Sequence, residues 1–350
     1  MPINLGLCCM NTHLRTKGIF SSRTCRLDTL KKDGFGFPHL KKLSMQNLDD
    51  LIKLLEWNNE NGIKVFRMSS ELFPHISNYT VFEWDREGAE EYFRLEWCRE
   101  RLAEIGKRAR ELDIRLTFHP GQYNVVGSPN RASFNQTIVD LKYHADVLDL
   151  MGLDNNSVMV VHGGGHYGDK EKTLERWCKQ YQELPENVRK RLVLENCEKC
   201  FSIKDCLQVS EKINIPVVFD THHYDCYCKL HSQEKFEKPD YYIPKILKTW
   251  KRRNIKPKFH VSEQGSGRTG HHSDYIKELP NYLLEIPYKY DTHIDIMIEA
   301  KMKEQSILRL YKKYPFLICK KRIKIRSKIK KLKKTKQINI NNGVITNSKN

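Results

Sequence analysis

Eight short apolar runs, each followed by a helical pattern, constrain this chain more than any other feature. They are "INLGLCC" (3–9), "IKVFRMSS" (63–70), "IRLTFH" (114–119), "SVMVVHG" (157–163), "RLVLEN" (191–196), "IPVVFDTHH" (215–223), "KPKFHVS" (256–262) and "IDIMIEA" (294–300). The runs are nearly continuous rather than alternating, which suits parallel strands covered on both faces. Between them lie amphipathic stretches at 47–62, 91–113, 132–152, 170–183, 203–213, 241–253, 273–285 and 301–313. The first starts at an Asn and stops at a Gly, as helices do. Eight strand–helix units predict an α/β fold of the (β/α)₈ TIM-barrel type. A doubly wound open sheet is the alternative, but no Gly-rich dinucleotide turn follows the first strand.

In such barrels the chemistry sits at the C-terminal ends of the strands. Here strand three ends in His119, strand four in His162 and strand five in Glu195. Strand six ends in Asp220 with His222 and His223, strand seven in His260 with Lys258 two residues earlier, and strand eight in Glu299. His272 follows in the loop "RTGHHSDY". One histidine at a strand end is more often a hydrogen-bonded core residue than a ligand. A whole ring of ionisable groups at one mouth is different, because buried charges are costly unless paired or bound to metal. Imidazole and carboxylate without thiolate suit Zn²⁺ or Mn²⁺. The number of donors implies two or more ions, with a carboxylate such as Glu195 able to bridge. Paired ions suit phosphoryl or phosphodiester hydrolysis.

"VHGGGHYG" (161–168) lacks the spaced Lys and Ser/Thr of a phosphate-binding P-loop. Its glycines are expected to permit close backbone approach. The eleven cysteines are an odd number scattered through a long chain, unlike a secreted disulfide scaffold. "CEKC" (197–200) and "CYC" (226–228) could be joined in a four-cysteine zinc site, but reduced thiols are the favoured reading. The N-terminus has no basic region ahead of a long apolar stretch, and no run reaches the length of a bilayer span. An intracellular protein without membrane attachment is expected.

The formal charge of +18 is unevenly placed. Residues 320–336, "KKRIKIRSKIKKLKKTK", hold eleven Lys or Arg and no acid, leaving the remainder only mildly basic. A barrel domain over 1–318 and a disordered basic tail over 319–350 are expected. Such a tail either solubilises or targets the protein, or holds a polyanion, most readily nucleic acid.

The motifs "FRMSSELFPH", "FHPGQY", "VHGGG", "LVLENCEK", "VVFDTHHY", "KPKFHVSEQ", "HHSDYI" and "IDIMIEAKMKE" occur in one order over about residues 1–313. In these the chain resembles the UV damage endonucleases, metal-dependent DNA repair nucleases on a TIM barrel related to endonuclease IV. The resemblance implies up to three divalent ions, manganese first, with Zn²⁺ or Mg²⁺ as substitutes. It implies His119, His162 and Glu195 around one ion, and Glu195, Asp220, His260 and Glu299 around a second. It implies His223 and His272 around a third, with Lys258 beside them as a carboxylated lysine. Glu195, Glu299 and Lys258 are the implied catalytic residues. Gln122 and Tyr123 are implied to probe damaged DNA from the turn made by Pro120 and Gly121. Two positions depart from the family pattern: Asn78 stands where a histidine is common, with His75 nearby, and Leu7 where a tyrosine is common.

The expected function is therefore a DNA repair endonuclease that nicks immediately 5′ of cyclobutane dimers and 6-4 photoproducts, with abasic sites as a further substrate. The expected partner is double-stranded DNA carrying such lesions, and the expected state is a monomer. A metal-dependent sugar isomerase or epimerase on the same barrel is the second hypothesis. It gives no reason for a basic tail or a Gln–Tyr pair at the rim. A non-catalytic DNA-binding protein is the third, and the full ligand set argues against it.

Overall fold

The computed structural model describes residues 2–32, 36–78, 80–81 and 85–318. The basic tail lies outside the described residues. Eight strands run β1 Ile3–Cys8, β2 Val65–Arg67, β3 Arg115–Thr117, β4 Met159–His162, β5 Leu192–Glu195, β6 Val217–Asp220, β7 Lys258–Val261 and β8 Ile294–Ile298. All seven ladders are parallel, in the order β3-β2-β1-β8-β7-β6-β5-β4. A parallel bridge from Phe118 to Met159 brings β3 back to β4 and closes the ring. Helices lie between successive strands, so the (β/α)₈ expectation holds.

The strands are buried almost throughout, which is why they read as continuous apolar runs. Their outer faces pack on helix residues such as Leu51, Leu102, Leu148, Trp177 and Trp250. The inner face is of a different character. Cys8, Val65 and Met297 form a small apolar cluster of their own there. Below it, buried Asp295 accepts hydrogen bonds from Asn4 (3.0 Å), Arg115 (2.8 Å) and Lys256.

The helices depart from the sequence pattern in four places. The first long helix spans Gly36–Glu60 rather than starting at Asn47. Asn47 is not its cap: its side chain is buried and bonds the backbone of Arg23, Glu71 and Leu72. The 91–113 pattern is broken at Leu95, whose φ of 60° ends the helix Arg86–Arg94 before Arg99–Glu111 begins. The break lets Trp97 stack on Tyr92, with ring centroids 5.8 Å apart. The 215–223 run stops being strand at Asp220, whose carboxylate caps the helix Thr221–Leu230 through the His223 amide (2.8 Å). The expected 273–285 helix shrinks to Asn281–Leu284, followed by Ile286–Tyr290. Pro280 disfavours helix at the residue before it, and Ser273 and Asp274 accept from the amides of Lys301 and Met302 instead.

Candidate metal centre

The strand ends deliver their ionisable groups to one mouth. Glu195, at the end of β5, stands at the centre and is fully buried. Its Oε1 lies 2.8 Å from His260 Nδ1 on β7, and its Oε2 lies 2.9 Å from His119 Nε2 just after β3. His162 Nε2 and His223 Nδ1 approach it to 3.6 and 3.7 Å. Glu299, just past β8, reaches His260 Nδ1 at 3.2 Å and His272 Nδ1 at 3.9 Å. Asp220 completes the set and is held rigidly. Asn196 bonds both its amide (2.9 Å) and its carbonyl (3.1 Å), and Ser262 Oγ lies 3.4 Å from its carboxylate.

Four groups of these side chains offer donor atoms close enough to hold a metal ion. They are His119, Glu195 and His260; His162, Glu198 and His223; Glu195, Asp220 and His223; and Asp220, His260 and Glu299. His119, His162, Glu195, Asp220, His223, His260 and Glu299 thus gather at one mouth, with His119 and His162 both against Glu195 Oε2 and with Asp220, His260 and Glu299 in one group. His119 sits with His260, and His162 sits with His223. Glu198 was not foreseen, because "CEKC" drew attention to its cysteines. His272 joins none of the four groups. No cysteine joins one either among the described residues. Cys197 Sγ instead accepts from the amides of Cys200 and Phe201, which makes "CEKC" a turn.

The electrostatics fit a cation. Burial would raise the Glu195 carboxyl, but His260, His162 and His119 outweigh it and hold it well below the usual range. Burial likewise opposes ionisation of Glu299, and Arg67 at 2.6 Å overrides it. The negative charge then present pushes Asp220 up, after burial itself, with Glu195 and Glu299 as the repelling neighbours. Burial pushes His162 and His260 down to about 4, so both rings are neutral, the form in which imidazole binds a metal. His260 Nε2 is buried with no hydrogen-bond partner. A divalent cation among these carboxylates would let Asp220 ionise. The His223 Nδ1 at 3.1 Å from the Asn196 carbonyl orients its ring, the kind of support that metal-bound histidines receive. Lys258 is fully buried on β7, with its Nζ 3.4 Å from Thr117 Oγ1. Burial, then Arg67 and Arg115, push its pKa down to about 7.

A cavity of about 290 Å³ opens over these groups. Gln122, Ser70, Cys9 and Gly270 line it together with His119, His162, Glu198 and His272. Tyr123 stands beside it, 63% exposed, with its hydroxyl tucked 3.5 Å from Asp140. Its ring folds back over Gly121, where a Cβ would lie 2.5 Å from the ring and push it aside. Gly163 has a comparable role, since a Cβ there would strike the ring of Phe201 at 2.1 Å. That accounts for part of "HGGG" without a phosphate loop. Of the departures, His75 Nε2 is 2.8 Å from the Cys25 carbonyl, and Asn78 Oδ1 accepts from Thr80. Both serve the turn around 75–80. Leu7 is wholly buried and has no surface to offer DNA.

The model of the UV-endonuclease UvdE family matches residues 3–330. The chain belongs to this family. A protein of Acanthamoeba polyphaga mimivirus is 40% identical over 315 residues, which are 89% of this chain and 91% of that one. The UV-damage endonuclease of Schizosaccharomyces pombe is 38% identical over 322 residues, 89% of this chain and 50% of the yeast protein, so the chain spans about half of that relative. The crystal structure of SacUVDE superposes with a TM-score of 0.73 at 31% identity, covering 90% of this chain and 99% of that one. This likeness agrees with the barrel described above. Among the described residues, no helix is long and apolar enough to cross a membrane.

Proposed function

We propose that this UvdE-family chain is a metal-dependent endodeoxyribonuclease that nicks DNA immediately 5′ of UV photoproducts. The substrates are cyclobutane pyrimidine dimers and 6-4 photoproducts in double-stranded DNA, with abasic sites as a further class. The observation that carries this reading is the set of four overlapping donor groups around Glu195, open to a cavity flanked by Gln122 and Tyr123. His119, His162, Glu195, Asp220, His223, His260 and Glu299 would hold up to three divalent ions, with Mn²⁺ first in preference. Glu198 supplements them beside His162. His272 and Lys258 serve a third ion, the latter as a carboxylated amine, a reaction that needs the neutral nitrogen its burial favours.

When bound, such ions neutralise charge on the scissile phosphodiester and lower the pKa of water. The protein supplies the rest. Glu195 keeps its negative charge while accepting hydrogen bonds from His260 and His119, and Glu299 keeps its own against Arg67. His119 and His162 are presented from rigid strand ends, with their rings 5.1 Å apart. Tyr123 offers an exposed aromatic face that can fill a gap in a base stack, and Gln122 an amide that can bond exposed base edges. A distorted base pair stacks poorly, so extruding it costs less than extruding an intact one. The protein works as a monomer inside the cell.

The test is nicking of supercoiled DNA, UV-irradiated or untreated, with Mn²⁺ or with EDTA. Metal-dependent nicking of irradiated DNA is expected. Equal nicking of both DNAs, or nicking in EDTA, would reject the reading.

A further inference from the structure

The helix Arg131–Leu150 carries Asp140 and His144 one turn apart, so both leave the same face. Neither belongs to the ligand set, and both are buried. Asp140 accepts hydrogen bonds from Ser77 Oγ (2.6 Å) and Asn124 Nδ2 (2.7 Å), and the Tyr123 hydroxyl lies 3.5 Å away. It therefore anchors the "HPGQYN" turn from below. His144, one turn on, reaches Ser70 with its Nε2 at 2.9 Å. Ser70 lines the mouth cavity with Gln122.

The hydrogen on this Ser70–His144 contact can be assigned. His144 Nδ1 is 2.7 Å from the Asp140 carbonyl oxygen. A carbonyl only accepts, so Nδ1 carries a hydrogen. Burial, against the opposing pull of Asp140, holds the ring below the usual histidine range, so it is neutral at pH 7 and Nε2 offers a lone pair. The Ser70 hydroxyl hydrogen points at that lone pair. Turning it toward the cavity would leave a buried nitrogen unpaired, which is costly. The Tyr143 hydroxyl holds the Ser70 carbonyl at 3.3 Å and fixes the backbone as well. What Ser70 shows the cavity is lone pairs.

A phosphate offers only acceptors, so Ser70 is the wrong group for the DNA backbone. DNA has no 2′-hydroxyl, and its donors are the N–H groups of its bases. In an intact pair the imino N–H is occupied by the partner base. It becomes free only where pairing is broken.

We propose that Ser70 is a specificity residue that accepts a hydrogen bond from a base N–H freed at an unpaired site, with its hydroxyl oriented by His144. This rests on the DNA-nicking reading above. Gln122, Tyr123 and Ser70 then form one reading head, with both arms held by the same face of one helix.

The test compares wild type, Ser70→Ala and Ser70→Thr, all loaded with Mn²⁺, on three duplexes carrying one thymine dimer. The first is unmodified. The second has methyl groups on the dimer imino nitrogens. The third has purine instead of adenine opposite the dimer, which removes the amino donors there. Nicking rates and binding by fluorescence anisotropy are measured together. Wild type should prefer the unmodified duplex by about two- to tenfold over one of the analogues, the range of a single neutral hydrogen bond. The analogue that suffers identifies the strand that donates. Ser70→Ala should lose this preference, and Ser70→Thr should restore it. Ratios between duplexes cancel any loss of stability in the variants, and the analogues test the wild-type chain without any substitution. No preference in wild type, or equal preference in wild type and Ser70→Ala, overturns the assignment. If wild type binds the dimer duplex but does not nick it, the hydrolytic reading falls, and the binding ratios still decide the role of Ser70.

Discussion

Glu195→Gln is the substitution from which most should follow. The amide has the shape of the carboxylate, so the packing of this fully buried side chain is kept. What disappears is a negative charge whose two oxygens lie 2.8 Å from His260 Nδ1 and 2.9 Å from His119 Nε2. Two of the four donor groups contain Glu195, so more than one ion loses a ligand. A unit charge about 4 Å from a divalent cation interacts by about 8 kcal/mol at an effective dielectric of 20. If the neighbouring carboxylates recover half of that by relaxing, about 4 kcal/mol remains, on the order of 10³-fold in metal affinity. Manganese bound after equilibrium dialysis should fall sharply, and nicking of irradiated DNA should vanish at concentrations that saturate wild type. A melting curve in EDTA controls for folding. Wild-type metal content together with wild-type nicking in Glu195→Gln would refute the shared-carboxylate reasoning.

Three further outcomes are expected. Lys258 has a pKa of about 7 in the folded chain against about 10.4 for a free lysine. Between those values the unfolded chain binds the extra proton, so the contribution of Lys258 to the stability of the ion-free protein should rise with pH from about 7 to about 10, while His223, raised to about 9, acts in the opposite sense and is common to wild type and Lys258→Met. Lys258→Met should remove this rise and melt higher at pH 7 in EDTA; identical pH profiles for the two proteins would contradict the buried-ammonium argument. Replacing both Gln122 and Tyr123 by Ala should leave metal content unchanged, because neither joins a donor group. Base–aromatic stacking is worth roughly 1–3 kcal/mol, so the preference for dimer-containing over intact duplex should drop about tenfold or more. A lower melting temperature with the preference intact would make Tyr123 a packing residue only. Deleting residues 320–350 should weaken DNA binding at low salt while sparing lesion preference, because binding to phosphates carries no lesion information. The slope of log affinity against log salt should become less negative by about 0.9 for each phosphate that the tail neutralises, and an unchanged slope would give the tail another role.

Much of this was legible in the sequence because parallel strands buried on both faces leave an unmistakable apolar run, and because barrel topology turns a position at a strand end into a position at the mouth. His119, Glu195, Asp220, His260 and Glu299 needed no more than that. What stayed hidden depends on side chains meeting across the barrel. Glu198 reads as one acid between two cysteines, and only the turn built on Cys197 Sγ carries it to His162 and His223. Arg67 lies inside an ordinary strand run, and its hydrogen bond to Glu299 crosses 232 positions of sequence. Asn47 mimics a helix cap because a buried asparagine that ties three segments together has the same local signature as one that starts a helix. His144 and Asp140 fit the polar face of an amphipathic pattern, although the structure buries both.

The barrel interior holds two charged layers, and their contrast identifies the one that has a task. In the lower layer Asp295 is matched by Arg115 and Lys256, with Asn4 satisfying the remaining lone pair. This layer sets one carboxylate against two cations, so it offers no carboxylate to a further cation. In the upper layer Glu195, Asp220 and Glu299 crowd together, while the histidines His162 and His260 are kept neutral. The cations against these carboxylates are Arg67, on Glu299, and His223, which Asp220 and Glu195 lift to about 9 against its burial. Buried ionic groups could be replaced by apolar ones at little cost or even a gain in stability, so a cluster this dense is hard to explain as architecture. Asp220 is the carboxyl of the three that is pushed up, by burial first, and His260 keeps a buried Nε2 without a hydrogen-bond partner. Both belong to the donor group Asp220, His260 and Glu299. A divalent ion held there would sit among the carboxylates that His260 faces through Nδ1, 2.8 Å from Glu195 and 3.2 Å from Glu299, and would let Asp220 ionise.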